Sequence, residues 1–130
     1  MIVKPDAGHG SVLTEALSLQ YEAADQGFDW RNADELWEKL QEEVKELQEA
    51  VQQGPERIED ELGDLLFMVV NLSRHLGCTP TDALARANRK FRSRFGYVLS
   101  EQAKWQSLKG QARLEEMERL WNAAKLSERS

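Results

Sequence analysis

Residues 62–72 are the most constraining segment of the sequence, because they are apolar on nearly every side of the helix that they predict. The apolar positions in this segment are Leu62, Leu65, Leu66, Phe67, Met68, Val69, Val70 and Leu72. A helix with this pattern is normally buried on several sides. Because a chain of 130 residues has little material to bury it, we expect a helical bundle in which this helix also faces a second subunit.

The spacing of apolar residues, together with signals for helix ends, predicts five helices. They are expected at residues 11 or 14 to 26, 32 or 34 to 53, 56 to 76, 79 to 104 and 111 to 126. Asn32 or Asp34 can cap the second helix, and Thr79 with Asp82 is typical of a capping box that opens the fourth. Because the connections are short, we expect an all-α fold, an antiparallel four-helix-bundle-like arrangement with a short extra C-terminal helix.

Length and composition exclude several classes of protein. The chain is long enough for one domain, expected over residues 11–126, with flexible ends at 1–10 and 127–130. It has no apolar run of the roughly 18 to 20 residues that span a membrane, and its first residues lack the apolar stretch of a secretory signal. Its single cysteine cannot form an internal disulfide, and its net charge of -6 disfavours nucleic acid and acidic lipid. We expect a cytoplasmic protein with neither partner.

Charge is unevenly distributed along the chain. From Asp34 to Asp64 there are twelve acidic and three basic residues, a local net charge of -9. From Arg86 to Lys104 there are six basic residues and one acidic residue, a local net charge of +5. These blocks are either solvated helix faces that attract each other weakly, or carboxylates that hold a divalent cation beside basic groups that hold its accompanying anion.

The helical phase of the acidic residues favours a metal site. Glu43 falls within the apolar stripe of the second helix, and Glu61 is in phase with the apolar face of the third. A carboxylate that is buried without a partner is strongly destabilising, so it becomes neutral, pairs with a cation or binds a metal. Glu43/Glu46 and Glu61/Asp64 are each spaced i,i+3 and present two carboxylates from one helix face. Ligands that are all oxygen favour Mg²⁺ or Mn²⁺.

Basic and amide side chains supply candidates for binding an anion. Lys39 borders the apolar stripe of the second helix, while Asn88, Lys90 and Arg94 lie within or beside that of the fourth. Pairing of the acids with these cations is the structural alternative to a metal. Mg²⁺ held by carboxylates next to such cations is suited to the attack of water on a polyphosphate. The chain contains no phosphate-binding loop, dinucleotide-binding motif or nucleophile elbow that offers different chemistry.

Five segments follow one another in an order that is characteristic of a known family. They are GFDW (27–30), EKLQEEVKELQEA (38–50) with an EExxE motif, IEDELGDLLFMVVNLSRHLG (58–77) with an ExxD motif, DALARANRKFRSRF (82–95) and LEEMERLWNAAK (114–125). Together they resemble the MazG nucleoside triphosphate pyrophosphohydrolases of the all-α NTP pyrophosphatase superfamily. EExxE alone is a weak signal, whereas the ordered set is specific and covers about residues 20–125.

The resemblance implies an activity and an assembly. The activity is hydrolysis of a nucleoside or deoxynucleoside triphosphate between the α and β phosphates, with Mg²⁺ or, as a substitute, Mn²⁺. The products are the monophosphate and pyrophosphate. The family's unit is built from two chains, which implies a homodimer or a dimer of dimers.

The resemblance also implies roles for the residues that match the family's motifs. The implied metal ligands are Glu43, Glu46, Glu61 and Asp64. The implied phosphate contacts are Lys39, Asn88, Lys90 and Arg94. Glu42 is a catalytic candidate together with Glu43 and Glu46, since it would bind a second metal ion or orient the attacking water. Trp121 would stack on the base, although it could instead anchor the last helix to the core, and Trp30 could also line the base pocket.

Three functions are compatible with these features. The first is an enzyme that clears ordinary or damaged nucleotides from the cellular pool. The second is a specialised pyrophosphohydrolase that acts on dUTP, dCTP or phosphoribosyl-ATP. The third belongs to another class: a noncatalytic helical interaction module whose acidic and basic halves mate across a dimer.

Overall fold

The computed structural model describes residues 9–129, with side chains described from Val12 onward. These residues form five α-helices and one short 3-10 helix, and they contain no β-strand, so the all-α prediction is confirmed. The elements are α1 (His9–Asp25), α2 (Ala33–Ala50), α3 (Pro55–His75), α4 (Pro80–Ser100), the 3-10 helix (Gln102–Lys104) and α5 (Gly110–Arg129). No helix in this described range is long and apolar enough to span a membrane.

The chain divides into two compact units, with the division after Ala83. The first unit contains α1, α2 and α3, and the second contains most of α4 together with α5. Of the predicted flexible ends, residues 1–8 and 130 lie outside the described residues, while residues 9–10 belong to α1 and 127–129 to α5. The predicted domain limits, 11–126, therefore stay a prediction.

Local side-chain hydrogen bonds set where two helices begin. The Asn32 side chain accepts a hydrogen bond from the Glu35 backbone N–H at 3.1 Å, so Asn32 is the N-cap of α2. The Glu35 carboxylate reaches back to the backbone N–H of Arg31 at 2.9 Å. At α4, the Thr79 hydroxyl accepts from the Asp82 backbone N–H at 3.2 Å. Both caps use side chains that the sequence singles out.

Two helices end earlier than their sequence patterns predict. The prediction that α2 reaches Gln53 is wrong, because it ends at Ala50 and the next residues form tighter i→i+3 bonds before Gly54, whose φ is 119°. The prediction that α4 reaches Lys104 is also wrong. There the Glu101 N–H is shared between the carbonyls of Tyr97 and Val98, which tightens the last turn.

The first unit is organised around α3. Leu36, near the start of α2, packs with Met68 and Leu72, near the end of α3, and Trp30 and Leu40 pack against this cluster. The contact of one helix's beginning with the other's end makes α2 and α3 an antiparallel hairpin, in agreement with the short turn between them. The apolar cluster therefore fixes how the middle of α2 faces the first half of α3.

The loop after α1 is fastened to the end of α3 by charge. The Asp29 carboxylate accepts two hydrogen bonds from the Arg74 guanidinium, at 2.9 and 2.8 Å, and lies 3.1 Å from the His75 ring nitrogen Nε2. The Arg74 bonds are the main reason that the pKa of Asp29 is held well below its usual value, with His75 contributing less. This pair closes the loop that presents Trp30 to the core.

The second unit has its own apolar cluster of Val98, Trp105 and Leu120. The partly buried residues packed against it are Phe95, Leu108, Met117 and Trp121. The Trp105 indole N–H donates to the Val98 carbonyl at 2.9 Å, which fixes the fold-back after α4. This hydrogen bond holds Trp105 against the last turn of α4, seven residues earlier in the chain.

We expect Asp29→Asn to lower the free energy of unfolding by about 1 to 2 kcal/mol near neutral pH, because a partly exposed bidentate ion pair is weakened. The folded state lowers the pKa of Asp29, so its contribution is complete above the unfolded pKa of about 3.9 and is lost as the pH falls through the folded value. Urea denaturation of wild type and variant should therefore converge as the pH is lowered from about 4 towards 2.

Asp25→Asn, at an exposed position that ends α1, is the matched control and should change stability little at any pH. A deficit in Asp29→Asn that persists unchanged in acid would contradict the ion-pair explanation.

Candidate metal centre

Three carboxylates from the α2–α3 hairpin come within reach of a single ion. Glu43 and Glu46 lie one turn apart on α2, and Glu61 lies on α3. One carboxylate oxygen from each lies within 4.8 Å of the other two. Because the two helices run antiparallel with a short turn, the first half of α3 faces the second half of α2, where these glutamates sit. We call these three residues the carboxylate cluster.

Two members of the carboxylate cluster are buried and incompletely paired. Glu43 is 5% exposed and Glu61 is 6% exposed, as the helical phase of the sequence predicts. The Oε2 atoms of both are buried without a hydrogen-bond partner within the described residues. A buried acceptor without a partner is destabilising, and a cation placed among the carboxylates would satisfy both oxygens. The cluster could therefore hold a metal ion, and its all-oxygen donor set suits a hard divalent cation.

A basic side chain occupies the other oxygen of each buried glutamate. Lys39 Nζ lies 3.3 Å from Glu43 Oε1, and Arg57 Nη2 lies 2.8 Å from Glu61 Oε1. Pairing with Lys39 is thus part of the structure, but it leaves the second oxygen unsatisfied. Arg57 is not among the predicted site residues, although it precedes Glu61 by four residues on α3, a spacing that is typical of such a pair.

Repulsion from the neighbouring carboxylates acts on Glu46. The negative charge of Glu43 is the main cause that raises the pKa of Glu46. Partial loss of solvent and the charge of Glu61 raise it further, each by less. The hydrogen bond to Glu43 raises the pKa of Lys39. The site therefore concentrates more negative charge than its own basic residues offset, which is the electrostatic condition that favours an added cation.

The remaining acidic candidates lie outside the carboxylate cluster. Asp64 follows Glu61 by one turn on α3, but it is exposed and is not part of the group of oxygens that come together. Glu42 is also exposed, on the solvent side of α2 next to Glu43. The structure thus brings together three of the four predicted ligands.

The other predicted substrate contacts lie in the second unit. Asn88 and Lys90 are exposed on α4. Arg94 is held by Glu128 of α5, with Nε and Nη2 at 3.0 and 2.9 Å from Oε1, and its guanidinium lies over the Trp121 ring at 5.7 Å from the centroid. The Phe91 ring lies 5.3 Å from that of Trp121. Trp121 therefore does help anchor α5, and its contact with a base stays a prediction.

The family model and two of the relatives that match this chain are described as nucleotide pyrophosphohydrolases. Residues 31–99 match the model of the MazG nucleotide pyrophosphohydrolase domain. The nucleoside triphosphate pyrophosphohydrolase/pyrophosphatase MazG of Thermotoga maritima is 48% identical over 83 residues, which are 64% of this chain and 32% of that protein. The nucleoside triphosphate pyrophosphohydrolase of Escherichia coli is 38% identical over 120 residues, 89% of this chain and 45% of that protein.

A third relative, the Bacillus subtilis protein YabN, is described as uncharacterized and is 44% identical over 70 residues. The chain spans less than half the length of each of these relatives. The region matched by the family model is more than half of the chain and contains all three residues of the carboxylate cluster. On this match, the chain belongs to the MazG nucleotide pyrophosphohydrolase family.

Proposed function

We propose that this chain is a Mg²⁺-dependent nucleoside triphosphate pyrophosphohydrolase that clears nucleotides from the cellular pool. It would cleave nucleoside or deoxynucleoside triphosphates between the α and β phosphates and release the monophosphate and pyrophosphate. The observation that carries the proposal is the carboxylate cluster, with its two buried and unpartnered oxygens, in a chain of this family. The names of the Thermotoga maritima and Escherichia coli relatives agree with it.

We propose Glu43, Glu46 and Glu61 as the ligands of Mg²⁺, for which Mn²⁺ would be a substitute, with Asp64 as a further ligand from the exposed side of α3. When bound, Mg²⁺ would supply Lewis-acid polarisation of a phosphate oxygen and a lowered pKa for a nearby water. The burial of Glu43 and Glu61 supports this assignment, because buried carboxylates lose less of their attraction for a cation to solvent screening.

The residues around the carboxylate cluster would orient water and offset charge. Glu42 neighbours Glu43 and faces solvent, so it can orient the attacking water and accept its proton, or bind a second ion. Lys39 already places an ammonium group at the cluster, where it would stabilise the charge that develops on the phosphates.

In the second unit, Asn88, Lys90 and Arg94 would contact the phosphates. Arg94 now binds a carboxylate with its guanidinium fork, and the same geometry is suited to phosphate oxygens, which would take the place of Glu128. Trp121, already under the Arg94 guanidinium, would stack on the base.

We also propose that the chain assembles as a homodimer or a dimer of dimers. Leu62, Leu66 and Val69 are spaced i, i+4 and i+7 on α3, and they are 43%, 59% and 44% exposed in the single chain. A row of this kind along one helix face supports burial against another copy.

The products of nucleotide turnover test the function directly. Purified protein with Mg²⁺ and a panel of NTPs and dNTPs should release pyrophosphate and the monophosphate, and EDTA should abolish the release. Similar rates across the panel would support pool clearance, whereas a strong preference for one nucleotide would indicate a specialised enzyme. Orthophosphate as the first product would contradict cleavage between the α and β phosphates.

Removal of the buried charges should separate metal binding from folding. The double variant Glu43→Gln/Glu61→Gln is expected to lose more than about 100-fold in Mn²⁺ affinity by calorimetry, because two of three clustered ligands are replaced. Its thermal midpoint without metal should be equal or higher, since like charges have been removed. The control Glu38→Gln/Glu59→Gln makes the same change at exposed positions of the same two helices. Equal Mn²⁺ affinity in both double variants would refute the site.

Arg57 should compete with a bound cation for Glu61. Arg57→Gln is expected to bind Mn²⁺ several-fold more tightly, because one positive charge leaves the site and Glu61 Oε1 becomes free. Without metal the variant should melt a few degrees lower, because a buried carboxylate has lost its partner. Arg31→Gln removes a matching i,i+4 pair to Glu35 at an exposed position and should change neither quantity. Weaker Mn²⁺ binding in Arg57→Gln would show that Arg57 supports the site.

A further inference from the structure

The Arg94 guanidinium in the second unit is already bound to an acidic group of the chain itself. Its Nε lies 3.0 and 3.3 Å from the two carboxylate oxygens of Glu128, and its Nη2 lies 2.9 Å from Oε1. Two neighbouring N–H groups that meet one acid in this way form the fork with which a guanidinium binds carboxylate and phosphate alike. The Glu128 carboxylate therefore occupies the place at which Arg94 would bind the oxyanion of a ligand.

Glu128 lies among positive charges. The hydrogen bond from Arg94 is the main reason that the pKa of Glu128 lies below its usual value, and the charges of Lys90 and Arg129 lower it further. Three positive groups thus act on one carboxylate, so this part of the surface keeps a positive surplus while Glu128 is in place. A surplus of this sign attracts a ligand that carries several negative charges.

Aromatic rings hold Arg94 in position independently of Glu128. The guanidinium lies over the Trp121 ring, 5.7 Å from its centroid, and the Phe91 ring lies 5.3 Å from that of Trp121. The Arg94 side chain is only 15% exposed. Because the ring contact and the burial both restrict the guanidinium, departure of Glu128 would leave Arg94 in place with its fork free.

Glu128 lies on a part of α5 that is weakly held. Residues 126–129 form the last turn and are exposed, with Leu126 at 66%. Leu120, about two turns earlier, is buried with Val98 and Trp105. A helix end that buries little apolar surface opens at a low cost in free energy. The ion pair with Arg94 is thus a contact that the last turn of α5 can release.

We propose that Glu128 is an internal competitor of the substrate phosphates, which must displace it from the Arg94 fork before they bind there. The inference rests on the proposed function, in which Arg94 contacts the phosphates. A triphosphate carries more negative charge and more acceptor oxygens than one carboxylate, whereas a ligand with a single phosphate gains less from the exchange. The contact therefore weakens the binding of all anions at Arg94 and leaves those with several phosphates as the effective ligands.

Binding of inorganic tripolyphosphate without metal tests the inference independently of catalysis. It is titrated by calorimetry into wild type, Glu128→Gln and Glu118→Gln. Glu128→Gln should bind tripolyphosphate about three- to tenfold more tightly, because the competing charge has left the fork. Glu118→Gln removes the same charge from an exposed position of the same helix and should bind as wild type. The KM for nucleoside triphosphates should fall in Glu128→Gln alone.

A variant of Arg94 shows whether Glu128 acts through this residue. Arg94→Gln should weaken tripolyphosphate binding about tenfold or more, and the addition of Glu128→Gln to it should change the affinity by less than about twofold. Amide hydrogen exchange adds a measurement that does not depend on affinity. Tripolyphosphate should accelerate exchange at residues 126–129 in wild type, and the same amides should exchange fast in Glu128→Gln without it. A purely structural ion pair would not couple this exchange to an anion.

Several results would overturn the inference. Tripolyphosphate binding that is equal or weaker in Glu128→Gln would show that Glu128 does not compete for the fork, and an equal gain in Glu118→Gln would assign the effect to net charge. A gain that persists in full beside Arg94→Gln would place the anion away from Arg94. Tighter binding in Glu128→Gln by a protein that hydrolyses no triphosphate would uphold the competition and reject the proposed enzyme. Turnover of triphosphates with unchanged tripolyphosphate affinity would reject the competition alone.

Discussion

The placement of ionisable carboxylates inside a helical hairpin is the constraint on which the first unit depends. Each buried glutamate has one oxygen on a basic residue, Lys39 or Arg57, and one oxygen with no partner. Two basic groups do not balance three clustered carboxylates, so the hairpin carries an electrostatic cost that apolar side chains at the same positions would avoid. Such a cost is typical of a site kept for binding rather than for stability.

The hairpin offsets this cost with contacts placed at its other end. Leu36, Met68 and Leu72 form an apolar cluster where α2 begins and α3 ends, and the Asp29–Arg74 pair fastens the preceding loop there. The carboxylate cluster, which destabilises the hairpin, and the apolar contacts, which stabilise it, therefore lie at opposite ends of the helices. A change in the carboxylate cluster can alter cation binding while the apolar end continues to hold the helices together.

The sequence could predict those features that depend on a single helix. The phase of Glu43 and Glu61 and the caps at Asn32 and Thr79 follow from residues within one or two turns. Features that depend on packing between separate segments could not be predicted from the sequence. The Trp105 indole N–H donates to the Val98 carbonyl across the fold-back that follows α4, and the Gln20 amide donates to the Phe67 carbonyl, 47 residues away. The position of Asp64 outside the carboxylate cluster is likewise decided by the hairpin's geometry.

The turn at Gly54 sets how α3 is rotated about its own axis relative to α2, and these two helices carry the glutamates. Its φ of 119° is accessible to glycine and strained for other residues, and Pro55 begins α3 directly after it. One additional residue between this turn and Glu61 would rotate that carboxylate by about 100° around α3 and turn it away from α2. Coordination by the carboxylate cluster therefore depends on the segment from Glu43 to Glu61 around one turn, whereas the outer ends of both helices carry the apolar cluster that holds the hairpin together.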